Sequence, residues 1–271
     1  GIKVWAPKAP VPPAAGLTNA VAAPAPAPAP VAASVPSRPV PAPTQAPRPQ
    51  PVTAPAARPP AVVPAAPAEA LGLSPRPAGI DTMDWPALQA AVAGCQACSL
   101  CRSRKNTVFG TGDVQADWMI VGEAPGENED LQGEPFVGLA GQLLDNMLRA
   151  VGRSRTGQGE QGAYIANVLK CRPPANRNPQ PQEVAQCEPY LARQVALVQP
   201  KIILAMGRFA VQSLLKTDEP IGRLRGRVHR YEGVPVIVTY HPAYLLRTPA
   251  DKAKAWADLC LAMETSNTPL R

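Results

Sequence analysis

The sequence predicts an α/β fold, a three-layer α/β/α sandwich around a four-stranded, mainly parallel sheet, preceded by a disordered Pro/Ala-rich tail. Four short apolar runs do not alternate with polar residues, so each is typical of a strand that is covered on both faces. Helical patterns lie between these runs, and strands that alternate with helices form parallel sheets with right-handed crossovers. The four runs are DWMIVGE (117–123), AYIANVL (163–169), KIILAMG (201–207) and PVIVTYH (235–241). Asp84 is expected to cap a first helix ending near residue 94, and the further helical patterns cover 140–152, 181–198, 208–216 and 251–264.

Residues 1–85 differ in composition from the rest of the chain. They hold 22 of the 36 prolines in a background of Ala and Val. Each proline removes a backbone donor, and few large apolar side chains are present to offset the entropy of ordering. We expect residues 1–85 to be a disordered tether rich in polyproline II, and residues 86–271 to form one domain. A docking arm for a partner or for DNA, anchored by Ile2, Val4 and Trp5, is the alternative for the tail.

Hydropathy and net charge indicate where the protein acts and what kind of partner it binds. The prolines exclude a signal or transit helix from the tail, and no apolar run is long enough to cross a membrane, so we expect a cytoplasmic, nucleoid-associated protein. The formal net charge is +7, of which the tail carries +3 and the domain +4. This modest excess favours a polyanionic partner without requiring one.

Three of the four predicted strands end in unusual residues. The first runs into GEAPGENED, the second ends at Asn167 and continues as VLKCRPP, and the fourth ends in HPAYLLR. The carboxyl ends of parallel strands meet at one edge of the sheet, where function collects. GTG at 110–112 precedes a strand, and GEAPG lacks the glycine spacing of a dinucleotide site. The strand ends therefore predict a site of another kind.

The cysteines indicate a metal or a cluster. Cys95, Cys98 and Cys101 have the spacing C-x2-C-x2-C, and Cys171 and Cys187 follow far along the chain. Closely spaced thiolates converge on one centre and are unsuited to disulfides. Spacing alone leaves both zinc and [4Fe–4S] open. The sixth cysteine, at position 260, is expected to be a small buried residue.

Three long motifs in fixed order carry a family resemblance. GEAPGENEDLQGEPFVGLAGQLL, YIANVLKCRPPANRNPQP and HPAYLLR, together with the cysteines, resemble the family 4 uracil-DNA glycosylases, the iron–sulfur branch of that superfamily. The resemblance covers roughly residues 90–263 and leaves out the tail. It implies a monofunctional DNA-repair enzyme that flips uracil out of DNA, hydrolyses its N-glycosidic bond and leaves an abasic site.

The resemblance also implies roles for particular residues. It places catalysis on Glu123 and His241, uracil binding on Gly122, Ala124, Phe136 and Asn167, DNA contact on Leu245, Leu246 and Arg247, and the ligands of a [4Fe–4S] cluster on Cys95, Cys98, Cys171 and Cys187. Cys101 is an extra thiol that competes for the first ligand positions. The water-activating Asp of the best-known uracil glycosylases aligns with Ala124, so Glu123 is its neighbour and not its equivalent.

The residue types suit that chemistry. Asn167 can accept from uracil N3–H and donate to O4, whereas cytosine presents the opposite pattern. His241 can donate to O2 as negative charge develops on the leaving base. Alternatives remain: Asn167 could hold a turn, Phe136 could be core, and Leu245 and Leu246 could be core rather than a wedge in DNA.

The remaining polar residues are expected at the surface. Glu127 and Asp130 are interpreted as solvated loop charges, and Glu129 is undecided between the site and the surface. His229 is expected in an exposed loop, and the surrounding GRLRGRVHR is interpreted as a basic loop that touches phosphate.

The implied partner is uracil-containing DNA, single- or double-stranded, bound by a monomer. Two other functions compete with the glycosylase. One is a related enzyme that traps DNA covalently through a histidine in a basic insertion, which NVLKCRPPANRNPQ lacks. The other is a non-enzymatic iron–sulfur DNA-binding module associated with replication or repair.

Overall fold

The computed structural model describes residues 74–267, so most of the predicted tail lies outside the described residues. Six strands form one sheet in the order β1-β3-β2-β4-β6-β5. The strands are β1 (Thr111–Gly112), β2 (Trp118–Gly122), β3 (Ala163–Asn167), β4 (Ile202–Met206), β5 (Val228–Tyr231) and β6 (Val234–Thr239). The expected α/β/α architecture is confirmed, with a larger sheet than predicted.

The four predicted strands are the parallel centre of the sheet, and two antiparallel strands border them. β3, β2, β4 and β6 pair in parallel, whereas β1 pairs with β3 and β5 pairs with β6 in the antiparallel sense. The expected number of four was therefore wrong. β1 has only two residues, and β5 is largely exposed and basic, so neither contains the apolar run that marked the other strands.

Eight α-helices connect and cover the strands in the described part of the chain. They are α1 (Trp85–Ala93), α2 (Glu127–Gln132), α3 (Gly138–Ala150), α4 (Pro181–Val198), α5 (Arg208–Leu215), α6 (Ile221–Leu224), α7 (Pro242–Arg247) and α8 (Lys252–Ser266). Alternate residues of the central strands point to opposite faces. Met119 and Val121 pack with α4 and α5 on one face. Trp118 and Ile120 pack with α3 and α8 on the other, which makes three layers.

The folded unit begins before residue 86. Asp84 caps α1 as predicted, because its Oδ1 accepts from the Ala87 amide at 2.9 Å. Ile80 is buried, and Trp85 makes edge-on contacts with Phe109 and Tyr164. Residues on both sides of this boundary therefore belong to the same core. Within residues 74–267, none of the helices combines the length and hydropathy that a membrane span requires.

Candidate active site

A cavity of about 840 Å³ opens at the carboxyl ends of all four central strands. Its wall includes most of the residues that the sequence indicated. These are Glu123 and Ala124 after β2, Phe136, Asn167 at the end of β3, and His241 and Arg247 after β6. β4 contributes Gly207 and Arg208, although its end carried no chemical signal in the sequence. The strand ends thus meet at one edge, as the parallel sheet requires.

Asn167 is held rigidly at the end of β3. It is 2 % exposed, and its backbone carbonyl accepts from Lys170 Nζ at 2.8 Å. The same Lys170 Nζ, whose pKa is lowered to about 7 by burial, also donates to Gln194 Oε1 at 2.6 Å, and Gln194 Nε2 donates to the Phe109 carbonyl at 2.9 Å. This network of buried, satisfied groups fixes the backbone from which the Asn167 amide projects.

Gly122 lies beneath Asn167 and Phe136. Its Cα packs so closely that a Cβ would overlap Asn167 Oδ1 and come within 2.5 Å of Phe136 Cζ. Glycine at this position lets the strand support both side chains directly. The sequence signal for this glycine was its place at the end of the first apolar run.

His241 is a neutral imidazole with a defined tautomer. It precedes α7, and its Nδ1 accepts from the Ala243 amide at 3.2 Å, which leaves the proton on Nε2. Burial lowers the pKa of His241 to about 4, and the charge of Arg247 acts in the same direction. The ring stacks on Phe136 with centroids 5.2 Å apart. Gly207 makes room for it, since a Cβ there would lie 3.2 Å from His241 Cβ.

Glu123 is a half-buried carboxyl group on the cavity wall. Burial raises its pKa to about 7, and the weaker attraction of Arg208 opposes that shift. The neighbouring backbone is fixed, because the Glu123 carbonyl accepts from the Leu169 amide at 3.1 Å. At neutral pH this group is poised between its acid and base forms.

The other carboxylates of GEAPGENED have structural partners. The segment forms helix α2, and Asp130 is 2 % exposed and accepts from the amides of Lys105 and Asn106 at 2.9 and 3.2 Å. The expectation of a solvated Asp130 was therefore wrong. Glu129 lines the cavity and accepts from the Gly126 amide at 3.1 Å, while Glu127 is exposed.

Helix α7 separates the predicted DNA-contact residues. Leu246 is 42 % exposed and Arg247 is exposed at the cavity. Leu245 is 1 % exposed and packs inside, which favours the alternative of a core residue at this position.

The basic segment near His229 is folded rather than a loop. It forms α6 and β5, and His229 is half-buried with its Nε2 2.8 Å from the Leu224 carbonyl. The exposed-loop expectation for His229 was therefore wrong. β5 was missed because it is short and carries His229 and Arg230 in place of the apolar run that marked the central strands.

Five thiols lie near one another on the side of the molecule where α4 packs. Cys95, Cys171 and Cys187 are buried, and Cys98 and Cys101 are half-buried. Burial raises the pKa values of the Cys171 and Cys187 thiols, and the neighbouring cysteines act in the same direction. Arg104 Nη1 donates to Cys171 Sγ at 3.1 Å. Within residues 74–267, no three His, Cys, Asp or Glu side chains lie close enough together to hold a single metal ion.

An α/β sandwich with a cavity at the carboxyl ends of its parallel strands is typical of enzymes whose active site lies at that edge of the sheet. The sequence profile of the uracil DNA glycosylase superfamily matches residues 109–260, which is more than half of the chain. The chain belongs to the uracil DNA glycosylase superfamily.

Individual relatives agree with the superfamily match. The chain is 44% identical over 166 residues to the type-4 uracil-DNA glycosylase of Archaeoglobus fulgidus, covering 58% of this chain and 81% of the relative. It is 41% identical to the type-4 enzyme of Pyrobaculum aerophilum, covering 66% of this chain and 93% of the relative. It is 41% identical to the type-4 enzyme of Thermotoga maritima, covering 60% and 83% respectively.

Proposed function

We propose that this protein is a DNA-repair enzyme that excises uracil from DNA, releasing the free base and leaving an abasic site. The observation that carries the proposal is the meeting of the Asn167 amide, the neutral His241 imidazole and the Glu123 carboxyl in one cavity. A base inside a duplex is out of reach, so the nucleotide must be flipped out to enter this cavity.

Asn167 selects the base. Its amide oxygen accepts from uracil N3–H and its NH₂ group donates to O4, whereas cytosine offers an acceptor at N3 and a donor at C4. The backbone of Asn167 is anchored by Lys170 at 2.8 Å. Because Asn167 is only 2 % exposed, cytosine would leave buried polar groups unpaired, which costs binding and rate.

His241 stabilises the leaving group. When the N-glycosidic bond breaks, its electron pair leaves with uracil, and the base carries negative charge on O2 and O4. The Nε2–H of His241 donates to O2 as this charge develops. A pKa of about 4 keeps the ring neutral at pH 7, so His241 acts by hydrogen bonding and gives up no proton.

Glu123 acts on the sugar side. Loss of the base leaves an oxocarbenium-like sugar, to which a water adds at C1′ and then releases a proton. An ionised Glu123 stabilises the positive sugar and accepts that proton. The pKa of about 7 makes a useful fraction of the carboxylate available near neutral pH.

The rim of the cavity suits a DNA strand. Arg208 and Arg247 line it and offer contacts to phosphates, which position DNA without reading its sequence, whereas Arg177 is paired with Glu183. Leu246 is exposed on the same helix as Arg247 and can fill the space that the flipped base vacates. We also propose that the enzyme acts on the nucleoid in the cytoplasm as a monomer and that the Pro/Ala-rich tail recruits a partner.

We further propose that Cys95, Cys98, Cys171 and Cys187 hold a [4Fe–4S] cluster. The donor set fits, because all four are thiols, and Leu100 and Leu169 pack around Cys171 and Cys187. The cluster would tie together the chain before β1, the segment after β3 and helix α4. Arg104, which donates to Cys171, suits the negative charge of such a centre.

The deciding experiment measures uracil release from oligonucleotides that carry a single uracil, cytosine or thymine. We expect release from the uracil strand alone. His241→Ala should lower single-turnover excision by roughly 10²- to 10³-fold with little change in affinity, because the donor acts mainly in the transition state.

The only other histidine provides a matched control. His229→Ala changes a residue bonded to the Leu224 carbonyl on the edge strand and should leave excision unchanged. If the wild-type protein binds uracil-containing DNA but releases no base, the non-enzymatic DNA-binding module replaces this proposal.

A further inference from the structure

Phe136 has an unusual backbone conformation for a large side chain. Its φ is 53°, in the left-handed region that favours glycine. The residue is 4 % exposed, and its ring lies against Gly122 and stacks on His241 at an interplanar angle of 23°. A strained residue persists only where its surroundings hold it, and such residues gather at functional sites. What holds Phe136 therefore matters for the geometry of the cavity.

One guanidinium group holds the backbone of Phe136. Arg155 Nη2 donates to the Phe136 carbonyl at 2.8 Å, and Nη1 donates to the Pro135 carbonyl at 3.2 Å. The third nitrogen, Nε, donates to Asp145 Oδ1 at 2.8 Å, so α3 fixes the arginine. The planar fork of arginine can bind two adjacent carbonyls and a carboxylate at once, which a lysine cannot do.

The neighbouring chain leaves Phe136 little freedom on its other sides. A Cβ at Gly141 would overlap the Phe136 carbonyl, so helix α3 presses directly on this peptide. Glu129 Oε1 accepts from the Val137 amide at 3.1 Å. The peptide groups on both sides of Phe136 are therefore bonded, and the direction of its Cα–Cβ bond is set by these contacts. Arg155 supplies two of these bonds.

We propose that Arg155, anchored by Asp145, is a positioning residue that sets the Phe136 ring and, through it, the His241 imidazole. This inference rests on the proposed function, because the ring matters through its contact with the catalytic histidine and the cavity. Without the guanidinium, two carbonyls lose their donors and the left-handed backbone relaxes. The Phe136 ring then no longer stacks on His241, and the Nε2–H of His241 no longer points toward O2 of the base.

The first experiment uses proton NMR to measure the position of the Phe136 ring relative to His241, and it does not depend on activity. The chain has two histidines, so their proton resonances are assigned with His229→Ala. In the free protein, the ring current of Phe136 should shift the His241 ring protons, and Phe136→Leu supplies the unstacked reference. Arg155→Met should move the His241 resonances toward that reference and leave His229 in place. If Arg155→Met leaves the His241 resonances at their wild-type positions, the inference is overturned, whether or not the protein excises uracil.

The second experiment measures single-turnover excision beside affinity for uracil-containing DNA and thermal stability. Arg155→Met should slow excision by roughly 10- to 100-fold, as sub-ångström to 1 Å misplacement does, with a smaller change in affinity. Arg155→Lys keeps one donor and should recover part of the rate. Arg149→Met is the matched control. Arg149 is on α3, the helix that carries Asp145, and donates to Asn146 at the surface, so this change should leave excision unchanged.

A double-mutant cycle tests whether Arg155 acts through the ring. In the Phe136→Leu background, Arg155→Met should slow excision by less than about threefold, since residues that act through one another are not additive. An equal loss in both backgrounds would show that Arg155 positions some other group. A wild-type protein with no excision would refute the proposed function, and the histidine resonances would still decide the role of Arg155.

Discussion

Gly122→Ala tests the site with one methyl group. The added Cβ would lie 2.5 Å from Phe136 Cζ and would overlap Asn167 Oδ1, whereas ordinary contact begins at 3.4 Å. The ring and the amide must therefore each move by about 1 Å, and β2 cannot yield because it is paired on both sides. Misplacement of that size costs about 10²-fold in rate, or about 2.7 kcal/mol of barrier.

The free energy of unfolding should also fall, because the added methyl group overpacks the core. An extra methyl in a packed core costs about 1–3 kcal/mol, which lowers the melting temperature by roughly 2–4 °C per kcal/mol in a domain of this size. The assay is single-turnover excision from a uracil oligonucleotide, well below the melting temperature of the variant. Gly94→Ala is the control, since its Cβ would meet only the Ala90 carbonyl, at 3.6 Å. Excision by Gly122→Ala within threefold of the wild type would refute the claim that Asn167 and Phe136 are set by this contact.

Three further perturbations separate recognition, chemistry and the thiol site. Asn167→Asp replaces the donor to uracil O4 with an acceptor, so excision of uracil should fall severely, with a trace of cytosine release. An unchanged rate on uracil would show that Asn167 does not recognise the base. In a single-turnover pH series, the wild-type rate should rise through about pH 7 as Glu123 ionises, and Glu123→Gln should abolish this rise. His241 has a pKa of about 4 and should cause no change in rate near neutral pH. Cys187→Ala should lose iron, the absorbance near roughly 400 nm and stability, whereas Cys260→Ala should keep all three. An anaerobic preparation with stoichiometric zinc and no iron would contradict the cluster.

Local patterns were sufficient for the centre of the fold. The four parallel strands and the Asp84 cap followed from short apolar runs and one capping residue, because burial on both faces and the unpaired amides of a first helical turn act on adjacent residues. The meeting of Asn167 and His241 followed from topology, since parallel strands bring their carboxyl ends to one edge. The site could therefore be located from the sequence.

Tertiary contacts decided what each residue at that site does. The fold pairs Asp130 with the amide of Lys105, which is 25 residues away, and the packing of α7 buries Leu245 while Leu246 stays exposed. Adjacent carboxylates and adjacent leucines are chemically alike, so the sequence does not show which of them the fold buries.

The protonation of the site was also a tertiary property. The sequence determined that His241 and Glu123 stand at strand ends, but burial among residues from other strands moved their pKa values in opposite directions. Arg155 carried no motif at all, and only the fold brings its guanidinium to the carbonyl of Phe136. Sequence patterns report the burial and spacing of residues along the chain, whereas desolvation and hydrogen bonding depend on which distant atoms the folded chain places within a few ångströms.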